Sequence, residues 1–160
     1  MGESINWHET AEIYSNAEMY DDAIACYDHA IECNPLDDVA WFRKGYICFL
    51  LDNNNEELKC YNKALEINPK NIDALEHKGA YLLNLNREQE AMECFDKVLE
   101  IAEQNVCVWF NKGMVLKNKG EYWEAFVSFN KGLELCPDDE EALQCVDEII
   151  SNLIEPGRST

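Results

Sequence analysis

The sequence predicts an all-α protein made of four copies of one helical hairpin, followed by a single last helix. Two pentapeptides, WFRKG at 41–45 and WFNKG at 109–113, begin 68 residues apart, and LEHKG at 75–79 lies midway between them. Only four prolines and seven glycines occur in 160 residues, so helix breakers are few. A spacing of 34 is too long for one helix or strand and indicates that a whole structural unit is repeated.

The prolines set the boundaries of the copies. Pro35, Pro69 and Pro137 fall at multiples of 34, and Glu103 stands where the series lacks a proline. Counting each as position 32 of its copy divides the chain into 4–37, 38–71, 72–105 and 106–139. Apolar residues follow a helical period in both halves of a copy, and proline ends the second helix because its ring cannot continue it. Each copy is therefore predicted to be two helices of about 14 residues joined by a short turn.

Equivalent positions of the four copies carry similar side chains. Position 8 holds Ala11, Gly45, Gly79 and Gly113, and position 20 holds Ala23, Glu57, Ala91 and Ala125. Position 4 holds Trp7, Trp41, Leu75 and Trp109, and position 24 holds Tyr27, Tyr61, Phe95 and Phe129. We expect the small residues to let paired helices approach closely, with the aromatic residues filling the space beside them. Glu57 is the exception, and its carboxylate is expected to lean out to solvent.

This pattern, W-x-x-K-G followed by A-x-x-x-F/Y, A and P over 34 residues, resembles the tetratricopeptide repeat family. The resemblance covers 4–139, with departures at Thr10, Ala11, Glu57 and Glu103. It implies a right-handed superhelical solenoid of four hairpins whose concave groove holds a peptide or a partner helix. It also implies a protein-interaction scaffold or adaptor and not an enzyme.

The segment 140–154 is predicted to be a helix that caps the last hairpin. Its apolar stripe consists of Ala142, Val146, Ile149, Ile150 and Leu153, and Asp138 or Asp139 is the expected N-cap. The last hairpin of a solenoid leaves an apolar face uncovered, and an amphipathic helix can cover it. If it is not a lid, the stripe is a candidate dimer surface. The tail at 155–160 is predicted to be disordered.

The resemblance implies that the first helix of each hairpin lines the groove. The candidate partner-binding residues are Phe42, Arg43, Tyr46, Phe49, His77, Phe110, Asn111, Met114 and Lys117. Two interpretations of the aromatic members remain open. They pack between neighbouring first helices, or they form an exposed apolar groove that anchors the partner.

One subclass of the family can be tested from the sequence. Members that grip the acidic tails of heat-shock chaperones use a carboxylate clamp of lysine, arginine and asparagine on the first helices. The matching positions here are His8, Glu12, Arg43, Asp73 and His77. Because Glu12 and Asp73 would repel a carboxylate, the sequence predicts that this protein is not a carboxylate-clamp co-chaperone.

The charge of the chain limits its partners. The net charge is −19, which argues against nucleic acid and anionic membranes as partners. Residues 1–37 contain nine acidic residues and no lysine or arginine. This acidic stretch is either a solvated face or a patch that attracts a basic flank of a protein partner. Self-association through the end helices, or service as a regulatory segment of a larger assembly, remains an alternative.

Catalysis, a metal site and a cofactor are not expected. The only histidines are His8, His29 and His77, and the eight cysteines form no C-x-x-C motif. Three cysteines recur at the 34-residue spacing and are predicted to be small buried residues in a reducing compartment: Cys26, Cys60 and Cys94. The N-terminus has no basic or apolar stretch, and a cytoplasmic location is expected.

Overall fold

The computed structural model describes residues 6–154, and this part of the chain contains nine α-helices and no strand. The helices are α1 Trp7–Asn16, α2 Tyr20–Cys33, α3 Asp38–Leu50, α4 Asn54–Ile67, α5 Ile72–Asn84, α6 Glu88–Ile101, α7 Val106–Asn118, α8 Tyr122–Leu135 and α9 Glu140–Ile154. The all-α helical-repeat fold is confirmed, and α3, α5 and α7 begin 34 residues apart. The predicted disordered tail at 155–160 lies outside the described residues.

The turn inside each hairpin repeats one backbone geometry. Position 15 of each copy has a positive φ, between 55° and 79°, at Glu18, Asp52, Asn86 and Gly120. The N–H of the following residue donates to the carbonyl oxygen of position 11 at 2.8 to 2.9 Å. This hydrogen bond spans five residues, closes the end of the first helix and turns the chain towards the second.

The turn between copies also repeats. Four residues at position 34 cap the next helix, each accepting a hydrogen bond at 2.8 to 3.0 Å from the N–H three residues on: Asp37, Asn71, Asn105 and Asp139. The second helices end at Cys33, Ile67, Ile101 and Leu135. Because α6 ends two residues before Glu103, just as the others end two residues before a proline, the proline is not required for the stop.

The chain forms two compact units, residues 1–81 and residues 82–160, and the boundary falls within α5. The N-terminal unit buries alanines together with Tyr27, Ile47 and Tyr61. The C-terminal unit buries Phe129 and Leu116 together with Val146 and Ile149 of α9. Each unit therefore has a core of its own, built from the inward faces of its hairpins.

The glycines at position 8 make a different contact from the one expected. A Cβ added at Gly45 would lie 2.8 Å from the Tyr61 ring, and one at Gly113 would lie 2.8 Å from the Phe129 ring. Position 8 thus makes room for the aromatic residue at position 24 of the same hairpin. We expected a contact between two small residues with the aromatic residues beside it.

The stripe predicted on α9 is only partly correct. Ala142, Val146 and Ile149 are buried, and Cys145 joins them, whereas Ile150 and Leu153 are exposed. The prediction followed the helical period but could not tell which side of the stripe faces the neighbouring hairpin.

Candidate functional site

Four aromatic rings pack together in the N-terminal unit. Phe42 stacks on Tyr61 with ring centroids 6.0 Å apart, and His77 lies 5.4 Å from Phe42 and 5.3 Å from Tyr46. Phe42 is only 5% exposed, so it packs between helices and does not present an exposed anchor. Burial lowers the pKa of His77, which makes it a neutral member of this cluster at neutral pH.

Arg43 and Tyr46 line a pocket of about 280 Å³ beside the aromatic cluster. Its remaining wall comes from α1, α2 and α3 and consists of Glu12, Ser15, Asn16, Tyr27 and Ile47. Arg43 is exposed, and its guanidinium carbon lies 5.8 Å from the centroid of the Phe42 ring. No carboxylate of residues 6–154 forms an ion pair with Arg43, although the chain has 32 acidic residues. The pocket therefore presents a free cation beside an aromatic wall.

Phe49 extends this surface. Its ring centroid is 6.2 Å from that of Tyr46, and its side chain is 46% exposed. Of the aromatic candidates in the N-terminal unit, Phe42 thus follows the packed interpretation and Phe49 the exposed one. Burial also raises the pKa of Tyr27 at the back of the pocket, while the charge of Arg43 partly offsets that rise.

Glu57 contradicts the expectation that it leans out to solvent. Its side chain is 2% exposed, although its neighbour Glu56 in α4 reaches Lys44 and Lys59. Burial raises the pKa of Glu57 from 4.5 to about 7, and the nearby Tyr61 hydroxyl partly offsets that rise. Within the described chain, neither Oε2 of Glu57 nor the hydroxyl of Tyr61 has a hydrogen-bond partner. Position 20 is also buried at Ala23, Ala91 and Ala125, so the backbone places Glu57 at an inward-facing position.

The C-terminal unit brings Phe110, Asn111 and Met114 together in a second pocket, of about 150 Å³. The other lining residues are Phe129, Asp139, Glu141, Ala142 and Cys145. Phe110 reaches this position because Gly132 of α8 has no side chain, since an added Cβ would lie 2.1 Å from the Phe110 ring. Residues of α9 form the far wall, just as residues of α3 form one wall of the larger pocket in the N-terminal unit.

Lys117 is held by α9. Its Nζ lies 2.6 Å from Oε2 of Glu148 and 3.4 Å from Sγ of Cys145, and that sulfur lies 3.7 Å from Sδ of Met114. The hydrogen bond to Glu148 raises the pKa of Lys117. The ammonium group of Lys117 is therefore already paired, unlike the guanidinium group of Arg43.

The W-x-x-K-G motif serves packing between helices. Nζ of Lys44 lies 5.9 Å from the centroid of the Trp41 ring and donates to Asp28 of α2 at 2.7 Å. In the C-terminal unit, Lys112 lies 5.8 Å from the centroid of the Trp109 ring and pairs with Asp96 of α6. In these two copies the lysine of the motif thus joins the first helix to the preceding second helix and is not free to bind a partner.

Sequence reasoning left Tyr27 and Phe129 out of the site, although each lines a pocket. The available signal is the recurring aromatic residue at position 24, but its spacing indicates only a place inside the hairpin. The predicted burial of the recurring cysteines is confirmed, because Cys26, Cys60 and Cys94 are all buried. Residues 6–154 contain no group of three acidic, histidine or cysteine side chains that could hold a metal ion. Across the same residues, no helix is long and apolar enough to span a membrane.

Sequence profiles of the tetratricopeptide repeat family match this chain at 6–35, 39–71, 60–93 and 106–139. No curated protein sequence shows significant similarity to it. The fold and the two pockets on first helices define a helical-repeat scaffold for protein interactions, a class that is typically not enzymatic. The chain belongs to the tetratricopeptide repeat family.

Several solved structures share this fold. YrrB, described as a TPR protein with an unusual peptide-binding site, has a TM-score of 0.81 and 23% identity over 98% of this chain and 80% of its own. MamA from Desulfovibrio magneticus RS-1 has a TM-score of 0.81 and 15% identity, covering 92% of this chain and 82% of its own. A tetratricopeptide repeat protein from Parabacteroides merdae has a TM-score of 0.76 and 21% identity over 92% of this chain and 57% of its own. These similarities concern the fold.

Proposed function

We propose that this protein binds a peptide or a helical segment of a partner protein through side chains of its first helices. The observation that carries the proposal is the N-terminal pocket, where Arg43 is free and Tyr46 and Phe49 form an aromatic edge. Aromatic and arginine side chains dominate the binding energy of protein interfaces. The peptide-binding site in the description of YrrB supports the same kind of ligand for this fold.

The partner segment is expected to present an acceptor to Arg43 and an apolar side chain to Tyr46 and Phe49. A carboxylate-clamp ligand is not supported, because Glu12 lines the same pocket and the ring of His8 is paired with Asp37 at 2.7 Å. A basic flank of the partner would face the acidic first copy, where attraction over a distance speeds association. Asn111 and Met114 of the C-terminal unit are proposed as a second contact area.

Affinity capture with a variant pair tests this function. Arg43→Glu combined with Phe49→Ala should reduce capture of the main partner from native lysate at least 10-fold, because it removes a central cation and an exposed anchor (about 2 kcal/mol or more together). Both residues are exposed, so helicity should not change. Phe42→Ala is unsuitable for this purpose, because Phe42 belongs to the core.

The matched control is Lys70→Glu combined with Leu36→Ala. Lys70 and Leu36 are an exposed cation and an exposed apolar residue of the same unit, and neither lines the pocket of Arg43. The control should capture the partner as the wild type does. Equal capture by the wild type and the Arg43 variant, quantified by mass spectrometry, would refute the proposed site.

A further inference from the structure

The helix α9 stands in the register of a fifth repeat. Asp139 caps it through the N–H of Ala142 at 2.8 Å, in the same way that Asp37, Asn71 and Asn105 cap the first helices of the preceding copies. Its buried residues continue the series as well, since Ala142 corresponds to Ala40, which is also fully packed. The chain thus contains the first helix of a hairpin at a place where the described residues hold no second helix.

The side of α9 that would meet a second helix is apolar and uncovered. At position 11, the side chain of Leu116 in the fourth copy is 8% exposed, whereas that of Ile150 in α9 is 37% exposed. Position 4 shows the same difference, because Leu75 is buried and Leu143 is exposed. Leu153 and Ile154 lengthen this exposed strip towards the end of the helix. The strip is therefore the half of a repeat interface that a second helix normally covers.

The charge of this face indicates which helix fits it. Asp147 occupies position 8, where Gly113 of the preceding copy contacts Phe129 of its second helix. The Asp147 side chain is exposed and forms no ion pair with any residue of 6–154. Residues 140–154 contain four acidic residues and no lysine or arginine. A second copy of this chain would bring like charges together, whereas a helix with a lysine or arginine opposite Asp147 would be attracted.

We propose that the exposed face of α9, formed by Leu143, Asp147, Ile150 and Ile154, docks an amphipathic basic helix of a partner protein. The docked helix packs along the side of α9 that corresponds to the second-helix side of the earlier repeats. Its apolar residues cover Leu143 and Ile150, and its cation pairs with Asp147. This surface is separate from the pocket that contains Arg43 and does not depend on the function proposed for that pocket.

A designed peptide tests the docking face on the full-length chain. The probe is a helix-stapled, fluorescently labelled peptide with the sequence of residues 120–137 and the substitution Phe129→Lys, which places a lysine opposite Asp147. The comparison peptide carries Phe129→Glu. In both peptides the exposed Glu124 and Glu134 are replaced by lysine, so that each peptide is net positive. Fluorescence anisotropy should show at least 10-fold tighter binding of the lysine peptide, because only that peptide complements Asp147.

Variants of the protein separate docking from unfolding. Ile150→Gln should weaken the lysine peptide at least 10-fold, and Asp147→Lys should reverse the preference between the two peptides, which a misfolded protein could not do. Arg43→Glu should leave both affinities unchanged. The proposal is overturned if neither peptide binds, if Asp147→Lys leaves the preference unchanged, or if sedimentation shows a dimer that Ile150→Gln dissolves.

Discussion

The pockets of the two units use related repeat positions but differ in chemistry. In the N-terminal unit the helix that follows contributes Arg43 at position 6, and its guanidinium group remains free beside Tyr46. In the C-terminal unit the helix that follows is α9, which contributes Cys145 at the same position. The cation nearest that pocket, Lys117, is paired with Glu148 of α9. The N-terminal pocket is therefore larger and contains an unpaired guanidinium group as well as Glu12, whereas the C-terminal pocket is smaller and has no cation in its lining.

This difference shows that the residues of one repeat do not by themselves determine the lining of its pocket. The aromatic residue at position 24 is present in both pockets, as Tyr27 and as Phe129. What varies is the side chain supplied by the next first helix. In such an array, a substitution on one helix therefore changes the pocket of the copy before it.

The largest effect is expected from removing α9 by truncation after Asp139. The truncation removes Val146 and Ile149 from the core and uncovers Leu116 and Phe129, so the C-terminal unit should lose about 5 kcal/mol or more. Hydrogen exchange should show lost protection in α7 and α8 and much less change in α1–α4. This result would support the proposed role of 140–154 as a capping helix. Uniform protection, equal to that of the full chain, would show that α9 is not a lid.

The next largest effect is the loss of stability when the aromatic residue at position 5 is truncated in each unit. Phe42→Ala should cost about 3 to 5 kcal/mol because it leaves a cavity among Tyr61 and His77. Phe110→Ala should cost about 2 kcal/mol or less, since Phe110 is partly exposed at its pocket. Urea unfolding measures both free energies. Equal losses would mean that the two rings are buried to the same degree.

A third prediction concerns the acid that only the N-terminal unit buries. Because the pKa of Glu57 is 4.5 in the unfolded chain and about 7 in the folded one, its stabilising contribution is complete below 4.5 and is lost as the pH rises to 7. At about 1.4 kcal/mol per pKa unit, the loss is about 3 kcal/mol. Glu57→Ala introduces the residue found at Ala23, Ala91 and Ala125. The variant should therefore be clearly more stable than the wild type at pH 8, and this advantage should be about 3 kcal/mol smaller at pH 4.

The measurement is the difference in unfolding free energy between wild type and variant at the two pH values. Titration of His77 is common to both proteins and largely cancels in this difference. Glu66→Ala is the control, because Glu66 lies exposed on the same helix. A difference for Glu57→Ala that does not change with pH would mean that the carboxylate reaches solvent, as the sequence alone suggested.

Most of the fold could be predicted from the sequence, because the pattern recurs in four copies and a departure in one copy does not hide it. Less of the candidate site could be predicted, because the 34-residue period shows which positions are equivalent but not which neighbouring residue each side chain contacts. Phe42 and Phe49 both match the groove pattern. Phe42 is buried because it stacks on Tyr61, whereas Phe49 remains exposed. Likewise, the pairing of Lys117 depends on Glu148, which lies 31 residues further along the chain. Such contacts between copies leave no local pattern in one sequence.

The smallest effect concerns the turn at position 15, where the two units differ in residue but not in backbone. Gly120 in the C-terminal unit has φ +79° and open space around it, whereas Glu18 in the N-terminal unit has φ 59°. A residue with a Cβ is strained in this region, so Gly120→Ala should cost about 1 kcal/mol. Glu18→Gly should gain about 0.5 kcal/mol, because relief of strain exceeds the added entropy of the unfolded chain.

Neither turn variant removes the backbone hydrogen bond that closes the first helix. This bond runs from the N–H of Met19 to the carbonyl oxygen of Tyr14, and from the N–H of Glu121 to that of Leu116. Thermal unfolding should therefore shift in opposite directions, by roughly 2 to 4 °C for each kcal/mol. Asn86→Gly is the internal control, since asparagine tolerates positive φ and its gain should be smaller than that of Glu18→Gly. The reverse pair of shifts, a higher Tm for Gly120→Ala and a lower Tm for Glu18→Gly, would show that the entropy of the unfolded chain, and not backbone strain, controls these turns.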